Sequence, residues 1–422
     1  MSLQERDKKY LWHPLTQHKI HPEAIGIVKA KAAILYDENG NEYIDGIASW
    51  YTCMYGHCND YILERVKVQM STLDQVIFTG FTHEPAVKLS EELIKILPYN
   101  QQKLYFSDNG STSTEIAIKM SLQYHFNQNK RKNIIIAFEK GFHGDTFGAM
   151  SVSGLSVYNG PFEEFFIEVE RIPVPNGNNN DEVLLQLKKL IEKGNIAGFI
   201  YEPLVQGAAA MKMHDANGLN ELIKLCKEND VVTIADEVMT GFGKTGSFFA
   251  SDQIENKPDI MCMSKALTAG FVPMAITSCA QHIYDAFYSN ENAKAFFHAH
   301  TYSANPIACS AALAGLELLQ SEEIQEKISI IIESHKEFDL KIKSHPKVKA
   351  TRQCGVIYAL DLNVEMERYG DMRYKLFNFF MENGVFIRPL GSTIYIQPPY
   401  VITKKQLQKI YNTIELSFQK II

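Results

Sequence analysis

A chain of 422 residues with 45% hydrophobic content is long enough to bury a large core, and its length suggests two or three structural units. Its 42 basic and 49 acidic residues leave a formal charge of −7 spread along the chain, which offers no basic field for nucleic acid or an anionic membrane. Seven cysteines without a CxxC pair argue against a disulfide framework or a zinc knuckle, and the absence of an apolar N-terminal region or of roughly 18 consecutive apolar residues leads us to expect a cytoplasmic protein.

Near the N-terminus, residues 34–37 and 42–45 are expected to form a hairpin around Glu38-Asn39-Gly40, whose Asn-Gly pair is a turn signal. Short apolar runs at 103–106, 133–138, 197–202, 231–236, 259–263 and 274–280 read as strands, and residues 111–126, 181–192 and 217–229 carry helical spacing between them. This alternation is the signature of an α/β fold with a mainly parallel central sheet covered by helices. Residues 176–180 form a polar loop, 306–319 a strongly apolar helix and 322–344 a charged helical stretch. From there the pattern changes to strand (355–362), helix (373–383), two strands (385–388 and 393–397) and helix (404–419), the order of a smaller α+β domain. The expected organisation is an N-terminal segment, 1–55, packing with the small domain; a large domain, 56–329; and a small C-terminal domain, 330–422.

Lys265 ends the apolar run Met261-Cys262-Met263-Ser264 with no acidic neighbour in sequence, where desolvation can lower its pKa and free the amine to form a Schiff base. Asp236 closes the preceding apolar segment, Ile234-Ala235-Asp236-Glu237, and a carboxylate there can keep a pyridinium nitrogen protonated. Each alone reads as an ordinary strand end or helix cap. Together they look like the two anchors of a pyridoxal 5'-phosphate (PLP) site.

The segment Asp108-Asn109-Gly110-Ser111-Thr112-Ser113-Thr114-Glu115 follows a strand and opens a helix. Thr112 and Glu115 fit a capping box, while Gly110 and the hydroxyl residues after it can offer N–H and O–H donors to a phosphate. Residues 241–246 contain Gly-Lys-Thr, but Val238 stands where a P-loop requires glycine, so this is read as a turn-rich loop. Phe142, between Gly141 and His143, can pack or stack on a planar cofactor. His298 and His300 flank Ala299 with no third metal ligand nearby, and the Thr301 hydroxyl can bind phosphate or cap the following helix. Trp50-Tyr51 and Arg388 complete the candidates; a guanidinium after the apolar Val385-Phe386-Ile387 needs a carboxylate from the protein or a substrate.

Taken in order, Asp108-Asn109-Gly110-Ser111-Thr112, Gly141-Phe142-His143-Gly144-Asp145-Thr146, Tyr201-Glu202-Pro203, Ala235-Asp236-Glu237-Val238, the 241–246 loop, Ser264-Lys265-Ala266 and His300-Thr301-Tyr302-Ser303-Ala304-Asn305-Pro306 closely resemble the class III PLP-dependent aminotransferases of fold type I, over nearly the whole chain. Within that class, Trp12-His13-Pro14, the stretch from Asp45 to Trp50, the stretch from His143 to Val152, and Arg388-Pro389 with the stretch from Ile394 to Tyr400 resemble the biotin-pathway branch, which aminates 8-amino-7-oxononanoate to 7,8-diaminononanoate. The resemblance implies that Lys265 carries the cofactor and shuttles a proton, that Asp236 holds its ring nitrogen, and that Gly110 and Ser111 bind its phosphate with Thr301 from a second subunit. Phe142 and Val238 would cover the two ring faces and Glu202 would stand behind them. Trp50, Ala299 and Arg388 would bind substrate, with Arg388 receiving its distal carboxylate. Such a shared site implies a homodimer.

Two positions depart from the family's pattern: Leu15 and Phe142 stand where it usually has tyrosines. S-adenosylmethionine is still the expected donor, with lysine as the alternative. A class III aminotransferase for ornithine, 4-aminobutyrate or a similar ω-amine is the competing enzyme, against which Trp50 and Pro398-Pro399-Tyr400 argue. A non-enzymatic sensing or scaffolding module would be expected to lack Lys265 or Asp236, and both are present.

Overall fold

The strand Ile134–Phe138 has no polar alternation because it has a core on either side: Ile134, Ile136 and Phe138 enter one apolar cluster, Ile135 and Ala137 another. It belongs to a seven-stranded sheet in the order Gln101–Ser107, Ala275–Ala280, Ile260–Met263, Val232–Asp236, Ile196–Tyr201, Ile134–Phe138, Val169–Ile172. These observations come from a computed structural model that describes every residue except Met1, Pro22, Val157, Tyr158 and Tyr369. Ala275–Ala280 runs antiparallel to both its neighbours, and the other pairings are parallel. The mainly parallel sheet expected from the sequence is therefore present.

This topology places the site. Because six strands share a direction, the segments leaving their carboxyl ends share one edge: Asp108 to Ser111, Gly141 to His143, Glu202, Asp236 and Lys265. Ligands of open α/β sheets bind at that edge. Behind it runs the helix Pro306–Leu319, which is buried nearly all round. Asn305 caps it by accepting from the Ala308 N–H, Pro306 occupies its first turn, and it packs on helices Asp60–Thr72 and Glu84–Ile96.

Two smaller sheets each correct one expectation. The single strand expected at 355–362 is a hairpin, with Val348–Cys354 antiparallel to Ile357–Leu362 around Gly355-Val356. Val348–Cys354 is an edge strand, exposed at Lys349 and Ala350 and half-buried from Thr351 to Cys354, where Arg352 and Gln353 bond to protein groups, so it lacks the apolar run that signals a buried strand. The strand expected at 385–388 spans only Val385–Phe386, which pairs in parallel with Glu42–Asp45 and leaves Arg388 on the loop beyond. The N-terminal hairpin, Ile34–Asp37 with Glu42–Asp45, forms where expected and gains a third strand, Ile27–Lys31. Helix Glu322–Ile342 runs unbroken through residue 329. Among the described residues no helix is long and apolar enough to cross a membrane.

Candidate active site

Asp236, the last residue of its strand, is only 4% exposed. Its Oδ1 accepts from the Val238 N–H at 3.0 Å and its Oδ2 from His143 Nδ1 at 2.7 Å, so both oxygens are fixed in orientation. Lys265 follows the neighbouring strand and begins a short 3₁₀ turn, Lys265–Thr268, with φ +50°. Its Nζ stands 5.1 Å from the centre of the Tyr51 ring. Burial lowers the pKa of this amine, with the Asp236 and Glu202 charges opposing. Such a shift enlarges the fraction of free amine available to a carbonyl.

Glu202 ties the cluster together. Its Oε1 accepts from the Phe142 N–H at 3.0 Å and its Oε2 from the Gly207 N–H at 2.9 Å. Burial pushes its carboxyl up to about 7, against the pull of His143 and those amide bonds and with the help of the Asp236 charge. The native carboxyl then keeps its proton over a pH range in which the unfolded chain has released it, so this group's contribution falls as pH rises from about 4.5 to about 7. Cofactor-free protein is expected to lose stability across that window relative to Glu202→Gln, by on the order of 3 kcal/mol at most. Urea unfolding of both proteins at several pH values checks this, and parallel pH dependence of the two would contradict it.

The anion end of the site is the start of helix Gly110–Asn127. Asn109 caps it, forming a reciprocal box with Thr112 in place of the expected Thr112–Glu115 box. Glu115 reaches instead to the next loop, accepting from the Thr146 hydroxyl and from the Gly148 and Ala149 N–H groups at 2.7 and 3.1 Å. Ser111 Oγ accepts from the Asp145 N–H at 3.2 Å. A Cβ at Gly110 would lie 2.9 Å from Val238 Cγ1, and one at Gly144, whose φ is +133°, would lie 2.2 Å from Ser111 Oγ. No acidic residue stands in the helix's first turn. A helix N-terminus free of acidic residues, a fixed buried carboxylate and a lysine amine of lowered pKa fit the phosphate, ring nitrogen and carbonyl of PLP.

On the substrate side, Ala48, Ser49, Trp50 and Tyr51 all have φ between +45° and +73°. With Tyr51 N–H donating to Ile47 O and Thr52 N–H to Ala48 O, they form one turn of left-handed helix. For non-glycine residues this conformation costs roughly 1–2 kcal/mol each. The turn brings Trp50 beneath Arg388, whose guanidinium carbon is 5.2 Å from the indole centre, and sets the Tyr51 ring 6.0 Å from that of Tyr395.

The structure thus gathers Lys265, Asp236, Glu202, Phe142, Val238, Gly110 and Ser111, and pairs Trp50 with Arg388. It does not join Ala299 or Thr301 to them: both are exposed, and among the described residues no hydrogen bond or ring contact links either to the Lys265 cluster. Within their loop, His300 Nδ1 lies 3.1 Å from Asp108 Oδ2, just before the start of helix Gly110–Asn127. The His298 and His300 rings meet each other at 2.8 Å, and no cluster able to hold a metal ion occurs among the described residues. Three neighbours carry no sequence signal of their role: His143 against Asp236, Tyr51 under the lysine, and Lys244. Lys244 is 0% exposed and donates to Gly241 O at 2.9 Å; burial and then the Lys265 charge hold its pKa well below the ordinary value, with Glu237 opposing.

Comparison with known proteins agrees with this geometry. A family model described as aminotransferase class-III matches residues 16–418. The chain is similar to the adenosylmethionine-8-amino-7-oxononanoate aminotransferases of Synechococcus elongatus (41% identity, covering 96% of this chain and 97% of that one) and Helicobacter pylori (36%, covering 96% and 94%). Its fold matches the crystal structure of the enzyme of that name from Methanocaldococcus jannaschii at TM-score 0.92, with 32% identity over 98% of both chains. It also matches a PLP-bound amine transaminase from an uncultivated Pseudomonas species at TM-score 0.91, with 25% identity over 98% of this chain and 99% of that one. The chain belongs to the class III aminotransferases and is a PLP-dependent transaminase of fold type I.

Proposed function

We propose that this transaminase moves an amino group from S-adenosylmethionine to the keto carbon of 8-amino-7-oxononanoate, producing 7,8-diaminononanoate for biotin biosynthesis. The observation that carries the reading is the pairing of Arg388 with Trp50, the residue before the Tyr51 ring that the Lys265 amine faces: a cation and an apolar aromatic face suit a long aliphatic keto acid with a distal carboxylate. The names of relatives at 41% and 36% identity support it. An ω-amine transaminase for ornithine or 4-aminobutyrate handles shorter substrates that have less use for the Trp50 face.

PLP, when bound, supplies an electron sink for charge developing beside the transferred nitrogen. In our reading Lys265 would hold the cofactor's carbonyl carbon, and its Nζ would move a proton at the substrate carbon. Asp236, oriented by His143, keeps the ring nitrogen charged. Gly110 and Ser111 bind the phosphate, Phe142 and Val238 exclude water from the ring faces, and Glu202 fixes the Phe142 backbone. Thr301 and Ala299 act in the partner's site of a cytoplasmic homodimer, which suits their exposure in the single chain.

Arg388→Ala is expected to weaken 8-amino-7-oxononanoate binding about 10- to 150-fold, the loss of a charge-assisted bond of about 1.5–3 kcal/mol. Arg388→Lys should fall short as well, because an ammonium cannot reproduce the guanidinium fork. Equal binding by the alanine variant and the parent, measured calorimetrically, would refute the assignment.

The donor is tested separately. Leu15 and Phe142 offer no phenolic hydroxyl, and the lack of two hydrogen bonds worth about 0.5–1.5 kcal/mol apiece weakens S-adenosylmethionine binding without excluding it. The expected result is a raised KM that Leu15→Tyr or Phe142→Tyr lowers. Bleaching of the visible cofactor band by lysine but not by S-adenosylmethionine would overturn this choice of donor.

A further inference from the structure

We infer that Asp45 is a positioning residue for the amino-acceptor pocket: backed by His57, its carboxylate holds the left-handed turn that aims Trp50 at Arg388 and Tyr51 at the Lys265 amine. Four successive residues with positive φ, none of them glycine or asparagine, do not persist without an external hold. Asp45 is the group placed to supply it. The residue is fully buried, its Oδ1 accepts from the Ile47 N–H at 3.1 Å, and its Oδ2 accepts from the Ser49 N–H at 2.7 Å and the Ser49 hydroxyl at 3.1 Å. Those bonds fix the entry and the second residue of the turn, and Thr52 Oγ1 closes the far side on Ser49 O at 2.9 Å.

His57 completes the clamp, its Nε2 lying 2.8 Å from Asp45 Oδ2. Although burial pulls its pKa down, the bonds to Asp45 and Cys53 prevail and raise it to about 10, so the imidazolium and the carboxylate form a charged pair. The pair is anchored to the rest of the fold. Asp45 ends the strand that pairs with Val385–Phe386, two residues before Arg388, and the Gln397 N–H donates to Gly46 O at 2.8 Å. One carboxylate therefore couples the segment carrying Trp50 and Tyr51 to the segment carrying Arg388. No side chain of the clamp need touch a substrate for it to set the width of the slot.

The kinetic half of the test rests on the proposed keto-acid substrate; the spectroscopic half does not. The chain has two tryptophans, so Trp12→Phe leaves Trp50 as the sole tryptophan reporter. In that background, cofactor-loaded Asp45→Asn is expected to raise acrylamide quenching of Trp50 at least about twofold and KM for 8-amino-7-oxononanoate about tenfold or more, with kcat changed less than about threefold. Ser49→Ala, which removes one side-chain bond and keeps the backbone ones, should move both readouts the same way by less, and it stands in if Asp45→Asn does not fold. Asp37→Asn is the control: Asp37 is likewise a buried carboxylate accepting turn N–H bonds, but in the hairpin loop, and its variant should leave Trp50 quenching and KM unchanged. Unchanged quenching and KM in both Asp45→Asn and Ser49→Ala, or the same changes in Asp37→Asn, would overturn the inference. A shift in quenching in protein that shows no activity on the keto acid even as the parent would sink the substrate reading and leave the clamp standing.

Discussion

Lys265→Ala is expected to leave a folded protein with no measurable turnover. The residue combines two functions in one amine, holding the cofactor and moving the proton, so its loss should exceed the ~10²–10⁴-fold typical of removing a single general acid–base group. Burial has prepared the amine for both, since its lowered pKa makes it a better nucleophile and a better proton acceptor near neutral pH than an exposed lysine. Lys244, whose pKa is lowered by burial and by the Lys265 charge, is held by Gly241 O within the 241–246 loop. Discontinuous measurement of product formation checks the prediction, and residual activity within tenfold of the parent would refute it.

Asp236→Asn should be nearly as damaging for a different reason. Asparagine keeps the shape and can still accept from the Val238 N–H, so the cofactor should be partly retained. It removes the negative charge that His143 now orients, and with it the stabilisation of a protonated ring nitrogen. Loss of one preorganised electrostatic partner of this kind costs at least ~10²-fold in rate. Stopped-flow measurement of the donor half-reaction isolates the effect, and a rate within tenfold of the parent would place the ring nitrogen elsewhere.

What could be read from the sequence, and what could not, follows from the physics of each signal. Asp236 and Lys265 were legible because buried parallel strands read as unbroken apolar runs, and a charged residue closing such a run lies at the functional edge of the sheet. Trp50 and Arg388 could each be picked out, but their contact could not, since it depends on a parallel pairing between strands at opposite ends of the chain. The left-handed turn was invisible: Ala48, Ser49, Trp50 and Tyr51 lack the glycine or asparagine that usually marks positive φ. Lys244 lies in the turn-rich loop that its glycines announce, but nothing local reveals that the loop is buried. The sequence points to a Thr112–Glu115 box because both Asn109 and Thr112 are good N-cap residues, and the strand's end at Ser107 decides for Asn109. The edge strand Val348–Cys354 carries no such signal, because it is exposed at Lys349 and Ala350 and only half-buried from Thr351 to Cys354, and so needs no apolar run.

Lys265 is the residue we propose to hold PLP, and the most direct test is to find the lysine that does. Borohydride reduction of the cofactor-loaded protein, followed by proteolysis and mass spectrometry of the phosphopyridoxyl peptide, should place the label on Lys265 alone. Lys244 is the discriminating alternative, because it is also buried and its pKa is also depressed. A label on Lys244, or on any lysine other than Lys265, would refute the assignment of Lys265.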